Sequence, residues 1–295
     1  MISELVVAIP STFLDRSIFM SPAERQAFEA GTGIMHTRHW PGTTEGLALK
    51  ACRELRHDPK DIDAVIFATQ TPDRLCPAMA YSVAREMKLR SDIPVFDINQ
   101  ACGGWVYAVW LAYTLRMRAV LVVAADRIRM DGTQSKANRF IFSDAAAAAI
   151  VAPRAFVPIT AAFRSDPIGE HAIECPVAGF MSMDGGAVFD FVTTQIPAMI
   201  KEFNKRECCD ILAGHQPNLS LMKLVDKRSG FEGRSLNAIG QLGNMSMVSI
   251  PAALALCEEQ VLRKKVLLAG YGAGWSASLM AIRWSSLPVS KIIYA

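Results

Sequence analysis

The chain has 295 residues, of which 51% are hydrophobic and 20% are charged. This length and composition suit one large domain or two of ordinary size, and they exclude an intrinsically disordered chain. A formal net charge of +3 is too small to indicate nucleic-acid binding. The apolar runs reach only about half of the roughly 20 residues that a membrane-spanning helix needs, and the first ten residues contain no basic signal-peptide region. We therefore expect a cytoplasmic protein without a membrane segment.

Along the chain, short runs rich in valine and isoleucine alternate with helical patterns. Buried strands are predicted at residues 64–68, 95–98, 119–124, 147–151, 210–213 and 266–269. Helices are predicted at residues 44–55, 79–87, 105–116, 189–204, 219–229 and 250–262. Alternation of this kind indicates an α/β fold in which helices cover the sheets.

The two parts of the chain resemble each other. DAVIFATQTPD (63–73) and CDILAGHQPN (209–218) both read as a strand that opens into a polar loop with a proline. This similarity predicts an internal duplication with halves at 1–155 and 156–295, although any two α/β units share such features. Clefts between packed halves are preferred ligand sites, so we expect the functional site there.

Seven cysteines are present, and none forms a C-x-x-C pair, so no zinc or other metal site is predicted. Cys102 stands out because it follows a predicted strand and precedes Gly103, Gly104 and a predicted helix. The positive end of a helix dipole favours a thiolate, which predicts a reactive cysteine with a lowered pKa. On this pattern alone, a buried structural cysteine remains the alternative.

A nucleophilic thiol needs a partner within hydrogen-bond reach. His215 lies in LAGHQPN, at the carboxyl end of a predicted strand, and Asn244 lies in QLGNMSMVSIP, just before a predicted helix. A structural histidine and a helix-capping asparagine are the alternative readings.

Taken together, the ordered motifs over residues 31–284 resemble those of the β-ketoacyl-ACP synthase III family of the thiolase superfamily. The similar segments are TGI, ATQTPD, DINQACGGWVYA, MDGGAVFDF, GHQPN, GNMSMVSIPAAL and LLAGYGAGWSASLMAIRW. The resemblance implies a five-layered αβαβα thiolase fold with two pseudo-duplicated halves. It also implies a homodimeric acyltransferase that needs no cofactor.

The resemblance further implies a mechanism. Cys102 takes an acyl group from acyl-CoA or acyl-ACP and then undergoes decarboxylative Claisen condensation with malonyl-ACP or malonyl-CoA. His215 and Asn244 act as neutral donors to the enolate oxygen. The backbone N–H groups of Cys102 and Ala273 hold the acyl oxyanion, and alanine stands at 273 where the family usually has glycine.

Peripheral residues are also implied by the resemblance. A carrier-protein patch falls on Lys223, Lys227 and Arg228, where positive charge would attract the acidic carrier. Cys76 falls where a partner subunit gates the acyl pocket with an aromatic residue. The family's tryptophan before TGI is missing, and Arg38 takes the place of the arginine after it. Asp144 is expected to be structural.

Three other functions remain as alternatives. The same three residues would serve acyl transfer to an oxygen or nitrogen nucleophile without C–C bond formation, or a partner-dependent subunit of a heteromeric synthase. Their Cys–His–Asn order also matches papain-like proteases, but there the cysteine lies near the mature amino terminus. A synthase would serve fatty-acid initiation or a specialised pathway to a polyketide, quinolone or vitamin precursor.

Overall fold

The computed structural model of the protein describes residues 2–130, 132, 134–152, 159–176, 180–285 and 289–295. The strands are β1 (Ile2–Ile9), β2 (Ala64–Ala68), β3 (Val95–Ile98), β4 (Val120–Asp126), β5 (Ala145–Val151), β6 (Thr160–Ser165), β7 (Ile173–Glu174), β8 (Ser182–Met183), β9 (Ile211–Gly214), β10 (Arg234–Ser235), β11 (Lys265–Gly272), β12 (Ser276–Arg283) and β13 (Val289–Tyr294). The helices are α1 (Pro22–Thr32), α2 (Thr44–Cys52), α3 (Ala80–Glu86), α4 (Gly104–Thr114), α5 (Lys136–Arg139), α6 (Gly185–Glu207), α7 (Leu219–Ser229), α8 (Ile239–Leu242), α9 (Ser249–Leu256) and α10 (Glu258–Val261). Within these described ranges, no helix combines the length and apolarity needed to cross a bilayer.

Two large sheets repeat one topology. The first has the order β13-β1-β5-β4-β2-β3 and the second has the order β10-β9-β11-β12-β6. In the first, β2 is parallel to β3 and β4, and β5 is antiparallel to β4 and β1. In the second, β9 is parallel to β10 and β11, and β12 is antiparallel to β11 and β6. This repeat of order and direction confirms the pseudo-duplicated fold.

The sheets and helices stack in five layers. Helices α4 and α9 lie between the two sheets and share one core cluster with the inner faces of both. Helices α2 and α3 cover the outer face of the first sheet, and α6 and α7 cover that of the second. Val120 and Val122 of β4 therefore face the central helices, while Leu121 and Val123 face the outer ones, as side chains on a strand alternate. The arrangement is αβαβα, as predicted.

All six predicted strands are present with small differences at their ends. The predicted helix 250–262 is two helices, α9 and α10, and the predicted helix 189–204 is the middle of the longer α6. Elements not predicted are the strands β1, β6, β7, β8, β10, β12 and β13 and the helices α1, α5 and α8. The boundary at 155/156 lies outside the described residues, so the division into halves stays a prediction. Strand β13 pairs in parallel with β1, which places the last strand of the chain in the first sheet.

Candidate active site

Cys102 lies between the carboxyl end of β3 and the start of α4. The chain turns there through a 3-10 helix, Ala101–Gly103, that leads directly into α4. Ala101 adopts a left-handed backbone conformation with φ of +42°, which is uncommon for a residue with a side chain. The turn leaves Cys102 partly exposed among buried neighbours.

Two glycines of β11 bring the second sheet against this turn. A Cβ added to Gly270 would lie 2.8 Å from the Cα of Gly103, and one added to Gly272 would lie 2.9 Å from the Cβ of Cys102. Because real Cβ atoms do not approach so closely, glycine is required at both positions. The nucleophile candidate therefore lies at the junction of the two halves.

Ser246 joins the three predicted site residues. Its hydroxyl donates to the sulfur of Cys102 at 3.5 Å, and its carbonyl oxygen lies 3.1 Å from Nδ1 of His215. Its backbone N–H donates to Oδ1 of Asn244 at 2.9 Å. Ser246 itself has φ of +51°, and strained residues of this kind cluster at functional sites. The structure thus brings Cys102, His215 and Asn244 together around one residue.

His215 follows β9 and is held on both sides of its backbone. Its N–H donates to the carbonyl of Ala269 at 2.8 Å, and its carbonyl accepts from the hydroxyl of Tyr271 at 3.1 Å. Burial lowers the pKa of His215 to about 4, so the ring is neutral at pH 7. Since a carbonyl oxygen only accepts, the Nδ1 facing Ser246 carries the hydrogen and Nε2 carries the lone pair. In this tautomer Nε2 donates only after protonation, and the role of His215 as a neutral donor to the enolate oxygen stays a prediction.

Asn244 is oriented by its neighbours. Its backbone N–H donates to the carbonyl of Ile141 at 2.9 Å, and its carbonyl accepts from Ser143 at 2.8 Å. The side-chain oxygen accepts from the backbone N–H of Ser246, which identifies the oxygen because that partner can only donate. The amide NH₂ of Asn244 is therefore the group left to donate to a ligand.

The Cys102 thiol has a raised pKa, not the lowered one that the helix dipole predicts. Burial is the main cause and raises the pKa to about 11, against the lowering effect of the Ser246 hydrogen bond, and the nearby Asp126 charge raises it further. Burial dominates although Cys102 directly precedes the first turn of α4, where a helix dipole favours a thiolate. The resting thiol is neutral.

A buried network behind Cys102 was missed by sequence reasoning. The Gln70 side-chain amide donates to Ser246 Oγ at 2.6 Å and to the Asp126 carboxylate at 2.9 Å, and the Gln70 backbone N–H also donates to Asp126 at 2.9 Å. One signal was available, since Asp126 ends an otherwise apolar buried strand, where a carboxylate needs partners. Gln70 and Ser246 lie in the segments ATQTPD and GNMSMVSIPAAL, but nothing local marks the bonds of this network, because they join residues that are distant in the sequence.

The peripheral predictions have mixed outcomes. Arg38 is buried and donates to the carbonyl of Pro10 at 3.0 Å, which is a structural contact, and its role in ligand binding stays a prediction. Asp144 is structural, as expected, because it accepts two bonds from Arg129, at 2.7 and 2.9 Å. Cys76 is exposed and does not join the site residues of its own chain in any described contact.

The residues of the predicted carrier-protein patch lie on the outer helix α7. Lys223, Lys227 and Arg228 are all exposed there, and Arg228 donates to the carbonyl of Thr193 at 2.7 Å.

Among the described residues, no group of three His, Cys, Asp or Glu side chains is placed to hold a metal ion.

A cysteine at the junction of two repeated halves in an αβαβα stack defines a thiolase-fold enzyme. Residues 96–167 match the 3-oxoacyl-(acyl-carrier-protein) synthase III family, and residues 204–284 match the family of its C-terminal part. The chain is 30% identical to a β-ketoacyl-(acyl-carrier-protein) synthase III of Clostridium tetani, over 80% of this chain and 82% of the relative. It is also 30% identical to β-ketoacyl-(acyl-carrier-protein) synthase III 3 of Streptomyces coelicolor, over 82% of each chain.

Solved structures show the same fold. The 3-oxoacyl-(acyl-carrier protein) synthase of Burkholderia xenovorans LB400 aligns with a TM-score of 0.91 over 100% of this chain and 96% of its own, at 24% identity. The chain belongs to the β-ketoacyl-ACP synthase III family, and it is an acyltransferase of the condensing type.

Proposed function

We propose that the protein transfers an acyl group from a thioester to Cys102 and condenses it with a malonyl thioester, with His215 and Asn244 as the other catalytic residues. The observation that carries this proposal is the set of three hydrogen bonds by which Ser246 gathers all three residues. Family membership supplies the reaction class, and the geometry supports the individual roles of the three residues.

Acylation begins from a neutral thiol. Because the pKa of Cys102 is raised and that of His215 is lowered, a resting thiolate–imidazolium pair is strongly disfavoured. The Cys102 sulfur therefore attacks the thioester carbon as His215 Nε2 takes its proton, and the departing thiol receives that proton. The oxyanion is stabilised by the backbone N–H groups of Cys102 and Ala273, a role supported by the close packing of Gly272 on Cys102.

Condensation then uses the malonyl thioester. The bond to CO₂ breaks, and its electron pair becomes an enolate whose oxygen accepts a hydrogen bond from the Asn244 amide. This negative charge favours protonation of His215 at Nε2, by a proton from solvent, and gives a second donor. The enolate carbon bonds to the acyl carbon, and Cys102 leaves as a thiolate that takes the His215 proton.

The proposal is tested by intact-mass measurement of acylation and by CO₂ release from malonyl-ACP labelled in its free carboxylate. Cys102→Ala should give no adduct. Asn244→Ala should acylate but lose condensation by about 100-fold or more, because one oxyanion donor is removed. The matched control is Asn237→Ala, since that asparagine is exposed and accepts only a local hydrogen bond from Ile239 at 3.1 Å.

Three outcomes would contradict the proposal. Normal CO₂ release by Asn244→Ala would remove its assigned role. Full acylation of the wild type without CO₂ release would favour transfer to an oxygen or nitrogen nucleophile. A wild type without any adduct on Cys102 would favour a partner-dependent subunit.

We also propose that the acyl carrier protein docks on α7. Lys223 and Lys227 are exposed there and present positive charge to an acidic carrier. Charge reversal of both lysines should raise KM for an ACP-bound donor and leave KM for the same donor on CoA unchanged. An equal effect on both donors would argue against docking at this helix.

The proposed enzyme is a homodimer in the cytoplasm and needs no cofactor. Strand β3 is an edge of the first sheet and leaves backbone groups available for pairing. Leu75 and Tyr81 are 71% and 56% exposed and would add apolar area to such a contact. Dimerisation across this side would carry Cys76 toward the partner's acyl pocket. A monomer in analytical ultracentrifugation at micromolar concentration would contradict this arrangement.

A further inference from the structure

A cavity of about 360 Å³ opens beside the catalytic site on the side of the first sheet. Its lining includes Gln70, Thr71, Asn99, Arg127, Arg129 and Cys175. Polar and charged side chains predominate there, whereas ligand pockets are usually lined by apolar side chains with a few polar groups. A cavity of this character suits a polar ligand better than a hydrocarbon chain.

Hydrogen bonds connect this cavity to the nucleophile. Gln70 lines the cavity and donates to Ser246 Oγ, which in turn donates to the Cys102 sulfur. Asn99 also lines the cavity, three residues before Cys102, and its side-chain oxygen accepts from the N–H of Ala101 at 3.3 Å. His215 and Asn244 come from the second half of the chain. Cys102 itself is not among the lining residues, so the tail of an acyl group on its sulfur would reach the cavity past Gln70 and Asn99.

Most charges around the cavity are already compensated. Arg129 forms two bonds to Asp144, and Arg74 lies 2.7 Å from Glu45. Asp73 accepts from the backbone N–H groups of Thr44 and Glu45 at the start of α2, at 2.9 and 2.7 Å. These groups form the walls of the cavity but have little capacity left for a charged ligand.

Arg127 is the exception. Within the described ranges, no carboxylate forms an ion pair with it, and its guanidinium donates only a long bond, 3.4 Å, from Nη2 to the carbonyl of Trp40. Its Nε is buried without a hydrogen-bond partner. A half-buried guanidinium with unused donors is suited to a planar anion such as a carboxylate.

We propose that the acyl donor carries a carboxylate at the far end of its chain, and that Arg127 binds this carboxylate in the cavity. This inference rests on the proposed acylation of Cys102 and adds the substrate class to it. Arg127 would act as a specificity residue, since it binds the tail and takes no part in bond making or breaking.

The test compares matched CoA thioesters that differ only in the terminal carboxylate. The pairs are succinyl-CoA with butanoyl-CoA, glutaryl-CoA with pentanoyl-CoA, and adipoyl-CoA with hexanoyl-CoA. Acylation rates are followed by intact mass, and peptide mapping separates Cys102 from Cys175, which also faces the cavity. For at least one pair, the carboxylate donor should acylate Cys102 about tenfold or more faster at subsaturating concentration.

Variants then assign the preference to one side chain. Arg127→Gln should bring the ratio within each pair close to one or below it, and Arg127→Lys should keep part of the preference. Arg53→Gln is the matched control, because this arginine is 57% exposed and pairs with Glu86 at 3.4 Å. Its ratio should equal that of the wild type.

The outcomes separate the two proposals. Fast acylation of Cys102 by the uncharged donors, with no preference for any carboxylate donor in the wild type, overturns this inference and leaves the proposed function intact. A preference that survives in folded Arg127→Gln also overturns it. If no donor acylates Cys102, the proposed function fails and this inference fails with it.

Discussion

Opposing influences act on the sulfur of Cys102. Burial and the nearby Asp126 charge raise its pKa, while the Ser246 hydroxyl favours the thiolate by donating to it. Burial dominates, so the resting thiol stays protonated, and in the proposed mechanism it loses its proton only when a thioester and His215 act together. A nucleophile of this kind resists adventitious oxidation and alkylation at neutral pH, because the thiolate is the reactive species.

Alkylation by iodoacetamide should therefore report the raised pKa of Cys102. The rate should increase about tenfold per pH unit and should not level off before about pH 11, because the thiolate fraction rises until the pKa is reached. The measurement is peptide mass after timed alkylation, with N-acetylcysteine as the reference thiol. A rate for Cys102 that levels off near pH 8 would contradict the neutral resting thiol.

His215 should make the stability of the protein depend on pH. Its pKa is about 4 in the folded protein and 6.5 when unperturbed, so the unfolded chain binds the proton more tightly between these values. Stability should consequently fall by up to about 3 kcal/mol as pH drops from 6.5 to 4. Urea unfolding at pH 7 and pH 5 measures this change, and His215→Gln should lose less stability over the same interval. Equal losses in the two proteins would show that His215 titrates normally.

The site is predictable from the sequence only in part. Cys102, His215 and Asn244 carry motifs, and the structure places them around Ser246. The protonation states are not predictable, because they depend on burial and on the carbonyl that faces Nδ1. Arg127 is likewise visible in the sequence as a basic residue after an apolar strand, but its missing ion pair is a property of the folded chain.

At the scale of elements, the turn that carries Cys102 depends on contacts with β11. Fully buried strands such as β2 and β4 appear in the sequence as continuous apolar runs, and both were predicted. Strand β12, Ser276–Arg283, was missed because small residues dilute its apolar pattern. Helix α1 was missed because its exposed sequence has few apolar residues and ends with Gly31 and Thr32.

Gly270→Ala should disrupt the packing of β11 on the catalytic turn. The new methyl group would meet the Cα of Gly103 at 2.8 Å and the Ser278 hydroxyl at 3.0 Å, and backbone cannot move aside cheaply. We expect a stability loss of about 1–3 kcal/mol together with slower acylation of Cys102. Chemical denaturation and intact-mass kinetics measure the two effects.

Gly31→Ala is the control for this substitution. Gly31 lies in α1 with nothing within 4 Å of an added Cβ, so alanine should leave stability unchanged or raise it by up to about 1 kcal/mol. Equal behaviour of the two alanine variants would show that the close approach of β11 does not constrain the site.

At the scale of the whole molecule, strand β13 pairs with strand β1, which lies nearly 290 residues earlier in the sequence. It pairs with β1 from Glu4↔Val289 to Ile9↔Tyr294, and Ala295 exchanges backbone hydrogen bonds with Ile9 and Ser11 at 2.8 and 2.9 Å. A division at 155/156 would therefore leave the first half without one of its strands.

Deletion of residues 289–295 should lower the melting temperature by several degrees and increase aggregation, because it exposes an edge of β1. Differential scanning calorimetry and light scattering measure the two effects. Lys291→Gln is the control, since it removes only one partly exposed ion pair with Glu54 and should change stability by less than about 1 kcal/mol. An unchanged melting temperature after the deletion would show that β13 adds little to the first sheet.

The position of β13 also has a consequence for synthesis on the ribosome. Strands β1 to β5 leave the exit tunnel early, and domains generally fold as units in the order of synthesis. Here the edge strand of the first sheet, residues 289–294, is translated after the strands of the second sheet. Until then one edge of β1 lacks its partner strand, and we expect the nascent chain to depend on chaperones until β13 has been made.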